Sequence, residues 1–353
     1  MKVVSQGLIF GAFLVGTTAC TSGALPISET TDTTSVVETG TLSTETTATS
    51  ETGTKTTDTG NTQTSITTIP DAPAFDCATA PPGPYKVRTL NGPICSEDLA
   101  FDGEGNLVGS DMTHIYKSTK AGVATLMVPN IPFRAGIRLL STGEIVLAND
   151  TTGSLDRIDL DGTRTTVVSD LRYPNGLEVG PDDMVYLTEH DARKVRRIDP
   201  WTGEYTVLTD GVISSPNGVA FNEDFTALYI AGFSGAKIIY KLPMNEDGTP
   251  AGDLEVWAEN VGTGWLDGIG VDVCGNVYIA DYNRSQILRY DNEGNYVDTP
   301  INMQGTWNYL PNMQWGSGMG DWNPNYAYFP EGWSASQMYE LELGIPSKWS
   351  AYE

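Results

Sequence analysis

Between residues 97 and 330 the chain repeats one unit six times, and that repetition constrains the fold more than any other feature. Each copy runs from a polar or turn residue through an alternating apolar strand and an Asp/Gly turn to a second strand rich in Val, Ile, Leu and Tyr. The copies begin at Glu97, Ala135, Asn175, Asn217, Asp267 and about Pro311, with start-to-start spacings of 38, 40, 42, 50 and 44 residues. They include EDLAFDGEGNLVGSD, NGLEVGPDDMVYLTE, NGVAFNEDFTALYIAG and DGIGVDVCGNVYIAD. A unit of this length accommodates a four-stranded sheet, and a sheet with two apolar faces must stack on its neighbours to bury them. Runs such as KVRRIDP with EYTVLTD, and KIIYKLPM with LEVWAEN, supply two outer strands per unit. Helical patterning of ten or more residues is absent, so the expected fold is all-β, a six-bladed β-propeller of four-stranded antiparallel blades. A strand near Tyr85 to Leu90 pairs with the final MYELELG in this reading, closing the ring and removing exposed edges.

The segments before the repeat are of another kind. Lys2, an apolar run from Gly7 to Gly16, and Thr17, Thr18, Ala19 and Cys20 form a short export signal over residues 1–20. A small residue before a cysteine points to bacterial lipoprotein processing, with Cys20 acylated as a membrane anchor; an ordinary cleaved signal and secretion is the alternative. Residues 21–70 are dominated by Thr, Ser, Gly and Glu without apolar periodicity, and read as a disordered linker that tethers a single folded domain over 71–353. The expected location is the cell envelope, outside the cytoplasm. The formal net charge of −25, from 20 Lys and Arg against 45 Asp and Glu, argues against nucleic acid as a partner. The expected partner is a small-molecule substrate, and the expected state a monomer. With Cys20 assigned to lipid, Cys77, Cys95 and Cys274 remain for one disulfide and one free thiol. Their pairing stays open, with Cys77 and Cys95 nearest in sequence.

Start residues of all blades converge on one end of the axial channel if the first strand of each unit is innermost. Glu97, Asn175, Asn217 and Asp267 then bring two carboxylates and two carboxamides together, without His or Cys. Oxygen-only ligands suit a hard cation, Ca²⁺ first and Mg²⁺ or Mn²⁺ next. The competing explanation is that Asn-Gly and Asp-Gly simply make turns. The second strand of each hairpin returns to the same rim, delivering Asp111, His114, Asp150, Glu189, His190, Phe233, Asp281 and Tyr282; of these Glu189, His190 and Asp281 are candidates for contact with substrate. Aromatic residues from Trp307 to Trp333, among them Trp315, Trp322, Tyr326 and Phe329, are expected to pack between sheets rather than to meet ligand.

The stretches SPNGVAFNEDFTALYIA, KIIYKLPMNEDGTPAG, LDGIGVDVCGNVYIADY and MYELELGIPS resemble the gluconolactonase and regucalcin (senescence marker protein) family of six-bladed propellers, over residues about 84 to 346. The wider group holds calcium with a Glu, two Asn and an Asp, which the resemblance places on Glu97, Asn175, Asn217 and Asp267. It implies a metal-dependent hydrolase of lactones or related esters in which the ion polarises the carbonyl and Asp267 acts as general base or nucleophile. Two positions depart from the family: Glu97-Asp98-Leu99 replaces the usual Glu-Gly-Pro, and Tyr173 stands where sugar lactonases often carry an arginine, which makes Tyr173 a substrate-contact candidate of different chemistry. The alternative function is a non-catalytic ligand- or protein-binding propeller with a structural calcium ion. A third reading, by resemblance to strictosidine-synthase-like propellers, rests on Glu331.

Overall fold

Alternating apolar residues bounded by Asp- and Gly-rich turns build the sheets, and the computed structural model describes them over residues 74–132, 135–235, 237–305, 309–332, 334 and 336–351. The export signal, Cys20 and the 21–70 linker lie outside the described residues. Six four-stranded antiparallel sheets form the six blades of a propeller. Blade 1 runs through Leu99–Phe101, Leu107–Ser110, Ile115–Ser118 and Ala124–Val128. Blade 2 comprises Ile137–Leu139, Ile145–Asn149, Ser154–Ile158 and Arg164–Val168. Blade 3 comprises Pro174–Val179, Val185–Glu189, Lys194–Ile198 and Tyr205–Asp210. Pro216–Phe221, Ala227–Gly232, Ile239–Pro243 and Glu255–Ala258 form blade 4. Leu266–Val271, Val277–Asp281, Gln286–Tyr290 and Tyr296–Asn302 form blade 5.

Blade 6 closes the ring from both ends of the domain. Gln314–Trp315, Ala327–Pro330 and Gln337–Glu342 come from the end of the chain, and Lys86–Asn91 adds the outermost strand. Its register pairs Lys86 with Glu342 and Asn91 with Gln337, so no inner sheet edge is left open at the junction. Each blade alternates small and branched apolar residues towards its neighbours. Ile269, Val277 and Ile279 of blade 5 pack on Ala220, Tyr229 and Ala231 of blade 4, for example.

A disulfide joins Cys77 to Cys274, with Cα atoms 5.6 Å apart. The pair nearest in sequence is therefore not the bonded one: Cys95 is a free thiol buried under blades 1 and 6 with Leu99, Leu107, Trp322 and Met338. The late aromatic segment packs between sheets. Trp322 is fully buried against Phe101 and Tyr328, with ring centroids 5.0 Å away in each case, and donates its indole N–H to the Gly105 carbonyl. Trp307 and Trp333 lie outside the described residues. Among the described residues no helix is long and apolar enough to cross a membrane.

Candidate axial site

Asn175, Asn217 and Asp267 each occupy the second position of an innermost strand, inside the strand rather than before it. At that place in blades 3, 4 and 5 the pairing register slips, between Pro174 and Leu177, Pro216 and Val219, and Leu266 and Ile269. Such a bulge bends the strand and re-aims its side chains, here towards the axis. The glycine that follows is not serving a turn. A Cβ on Gly176 would lie 2.2 Å from the Asn217 carbonyl oxygen, and one on Gly218 2.1 Å from that of Asp267. The Asn-Gly and Asp-Gly pairs thus let neighbouring inner strands approach at the mouth of the channel. The left-handed backbone lies two residues upstream, at Tyr173 and Ser215, with φ of 54° and 52°.

The predicted start residues do meet. Glu97, Ala135, Asn175, Asn217 and Asp267 line one cavity of ≈ 10 Å³, about enough for one water-sized occupant, together with Asp98, Arg138 and Asn312. The sixth blade contributes Asn312, one residue beyond the expected start at Pro311; the Pro-Asn pair repeats the phase of Pro174-Asn175 and Pro216-Asn217. Asp267 is buried, and its carboxyl is held well above the ordinary range by burial first and by the charge of Asp98 next, with a hydrogen bond from Asn217 opposing. It has no ion-pair partner among the described residues.

Sequence reasoning missed what lies beneath. Asp98 is buried, accepts from the Leu99 and Ile137 amides at 2.8 and 3.0 Å, and pairs with the Arg138 guanidinium. Arg138 faces Glu178 at 3.9 Å, and Glu178 in turn holds the ammonium of Lys348 at 2.6 Å. Lys348 enters from the opposite mouth on the short helix Lys348–Ala351. Its segment is tied to blade 5 by the Val273 amide, which donates to the Pro346 carbonyl at 3.0 Å. That mouth opens into a cavity of ≈ 640 Å³, whose walls include Ser141, Trp315 and Trp349. Arg138 and Glu178 share one repeat phase, three residues after Ala135 and Asn175, and that shared phase was the available signal.

The outer candidates sit on the rim above the axial cavity. His190 packs edge-on between Tyr173 and Phe233, at 5.2 and 5.6 Å, with Nδ1 2.8 Å from Asp191 Oδ1. Glu189 is buried and engaged by the Arg172 amide and the Arg196 guanidinium, while Asp281 accepts from the Thr263 amide and shapes the loop leading to Trp265. His114 contacts Thr113 and Asp111. Among the described residues Glu331 has one buried carboxylate oxygen without a hydrogen bond, and burial raises its carboxyl above the usual range.

The donor chemistry of the axial cavity fits a hard cation. Among the described residues no three His, Cys, Asp or Glu side chains gather to bind a metal, but carboxamide oxygens complete this set, and the buried Asp267 carboxylate lacks a cation.

Residues 188–307 match the family model described as the SMP-30/gluconolactonase/LRE-like region, and the resemblance to gluconolactonases and regucalcins holds over that stretch. No curated protein matches the chain by sequence. A gluconolactonase from Xanthomonas campestris superposes with TM-score 0.62 at 19% identity, over 74% of this chain and 90% of that one. A calcium-binding regucalcin from Agrobacterium tumefaciens gives TM-score 0.60 at 19% identity, over 75% and 95%. Virginiamycin B lyase from Staphylococcus aureus gives 0.54 at 14% identity, over 73% and 99%. At these identities the likeness is one of fold, and the scaffold serves more than one chemistry.

Proposed function

We propose that this protein is a divalent-cation-dependent hydrolase of lactones or related esters, with Ca²⁺ the leading ion, acting outside the cytoplasm as a lipoprotein anchored through Cys20. The observation that carries the reading is the convergence of Glu97, Asn175, Asn217 and Asp267 on one small, oxygen-lined axial cavity. The family-level match, which covers Asn217 and Asp267, supports it.

Glu97 and Asp267 would neutralise the ion, with Asn175 and Asn217 adding neutral oxygens; Asn312 stands ready as a further ligand. When bound, the ion supplies Lewis-acid polarisation of the scissile carbonyl. Asn217, which hydrogen-bonds the Asp267 carboxylate, fixes its orientation. Asp267 would then take a proton from the attacking water, or attack as nucleophile. The buried Asp98–Arg138 pair lies directly beneath.

Hydrolysis of a lactone and aryl-ester panel tests this, with calcium, with chelator, and with calcium restored after chelation. Activity lost and regained is the expected result. Asp267→Asn should lower kcat by at least roughly a hundredfold, the ordinary share of a positioned general base, with metal uptake followed separately by calorimetry. Activity that survives chelation but disappears in Glu331→Gln would overturn the axial reading, and a calcium-binding protein inert across the panel would overturn the hydrolase.

A further inference from the structure

Six rings form a continuous arc on the rim that carries the axial site. Tyr173 meets His190, His190 meets Phe233, Phe233 meets Trp265, Trp265 stacks with Tyr282, and Tyr282 stacks with Tyr309, in steps of 5.2, 5.6, 5.4, 6.4 and 4.9 Å. The arc crosses from blade 3 to blade 6 by a regular device. In blades 3 and 5 one ring comes from just before the innermost strand and the next from just after its partner, locked by backbone bonds: the His190 amide donates to the Tyr173 carbonyl at 3.0 Å, and the Tyr282 amide to the Trp265 carbonyl at 2.8 Å. Tyr173 and Trp265 lie two residues from Asn175 and Asp267, so no more than about 7 Å of backbone separates each from an axial residue. Both are 45% exposed, which leaves large apolar surface in water beside the polar cavity.

We propose that this arc is the acyl- or alkyl-group platform of the axial site, and that the substrate is a lactone or ester bearing a planar aromatic substituent rather than a polyhydroxylated sugar-acid lactone. The inference rests on the hydrolase reading for its reaction and on the rings for its substrate class. A sugar lactone needs hydrogen-bonding groups interleaved with any stacking surface, and several of the polar groups along the arc are taken up internally. Asp281 Oδ2 holds the Thr263 amide at 2.8 Å, His190 faces Asp191, and the Lys237 ammonium donates to the Gly264 carbonyl. What the arc offers is ring surface with little conformational entropy left to lose.

Three δ-lactones of one ring size separate the possibilities, each rate being referred to that compound's own uncatalysed hydrolysis: δ-valerolactone, its 5-phenyl derivative and glucono-δ-lactone. With the intact protein and calcium, the phenyl compound should exceed glucono-δ-lactone in kcat/KM by roughly tenfold or more, the scale of burying one ring face. Trp265→Ala should cut the phenyl-to-unsubstituted ratio of kcat/KM by about tenfold, through KM, whereas Trp265→Phe keeps most of it. Preferred turnover of glucono-δ-lactone, or an unchanged ratio in Trp265→Ala, overturns the platform. Calorimetric titration with 3-phenylpropionamide, which has no ester to cleave, keeps the two ideas separate. Amide binding that is lost in Trp265→Ala, without hydrolysis of any lactone, upholds the platform and sinks the hydrolase. Lactone turnover without phenyl preference or amide binding does the reverse.

Discussion

Replacing Lys348 by Met tests whether the end of the chain is built into the channel. The ammonium is buried on all sides, with the Glu178 carboxylate at 2.6 Å as its counter-charge. Removing one member of a buried pair strands the other, at a typical cost of about 3–5 kcal/mol. In Lys348→Met, Glu178 keeps the Arg138 guanidinium at 3.9 Å and the Phe221 amide at 3.5 Å, so the lower end of that range applies. In Glu178→Gln, Lys348 is left facing Arg138, a like charge, and the upper end applies. The double variant removes both charges and leaves Arg138 on Asp98, so it should be less destabilised than Glu178→Gln, with a coupling of about 2 kcal/mol or more. For a domain of this size, about 3 kcal/mol corresponds to a fall in Tm of roughly 5 °C, which thermal unfolding of the four proteins resolves. The pH dependence has a fixed sign. Burial first, and Arg138 next, hold the Lys348 pKa below its ordinary value despite Glu178. The unfolded chain therefore binds the extra proton, and stability from this group rises with pH up to about 10.5; Lys348→Met should flatten that rise. Single variants within about 1 kcal/mol of the parent, or strict additivity, would refute the buried pair.

The Asp272 carboxyl is pushed up to about 6 by burial, which outweighs hydrogen bonds from Asn276, the Tyr278 hydroxyl and the Cys274 amide. A folded-state value above the unfolded one adds stability that is complete below about pH 4 and lost as pH rises through 6, about 3 kcal/mol in all; Asp272→Asn should abolish that slope in urea titrations between pH 4 and 7. Cys95, buried and with its thiol at about 12, should resist iodoacetamide at pH 8 until the protein unfolds, and prompt alkylation in the native state would contradict its place in the core. Replacing Cys77 and Cys274 by Ala, which opens a link across 197 residues, should cost about 5 kcal/mol on the chain-entropy account, and a loss below about 1 kcal/mol would mean that other contacts hold the N-terminal arm.

The blades were legible because their signals are local. Period-two alternation and Asp/Gly turns act within one hairpin and the spacing near forty residues within one blade, and the strand near Tyr85 to Leu90 was matched to MYELELG because a ring needs its last edge covered, which the pairing of Lys86–Asn91 with Gln337–Glu342 bears out. The disulfide was not legible. Which cysteine meets Cys274 depends on where the arm before Lys86 crosses the domain, a tertiary outcome, and Cys95 is withdrawn under Trp322 and Met338 whatever its sequence neighbours. Asn312 was misphased by one residue because the sixth copy has a long insertion between its inner strands, although its Pro-Asn pair carried the register.

The axial site was read from one layer of the repeat, and the layer below shows why one layer is insufficient. Three residues on from the starts at Glu97, Ala135, Asn175 and Asp267, the blades present Ala100, Arg138, Glu178 and Gly270 to the channel. Two small residues leave space on one side, and two opposite charges stand on the other. Opposite charges on adjacent inner strands could have satisfied each other, yet Arg138 is drawn to Asp98 and keeps 3.9 Å from Glu178. Glu178 consequently needs a second cation, and Lys348 supplies it from a segment that no repeat pattern could assign to the axis. The same preference ties Asp98 to Arg138 from below, although its charge still acts on Asp267 in the upper cavity. That division of charge is what the proposed divalent site would draw on, while the Glu178–Lys348 pair holds the C-terminal segment at the lower mouth.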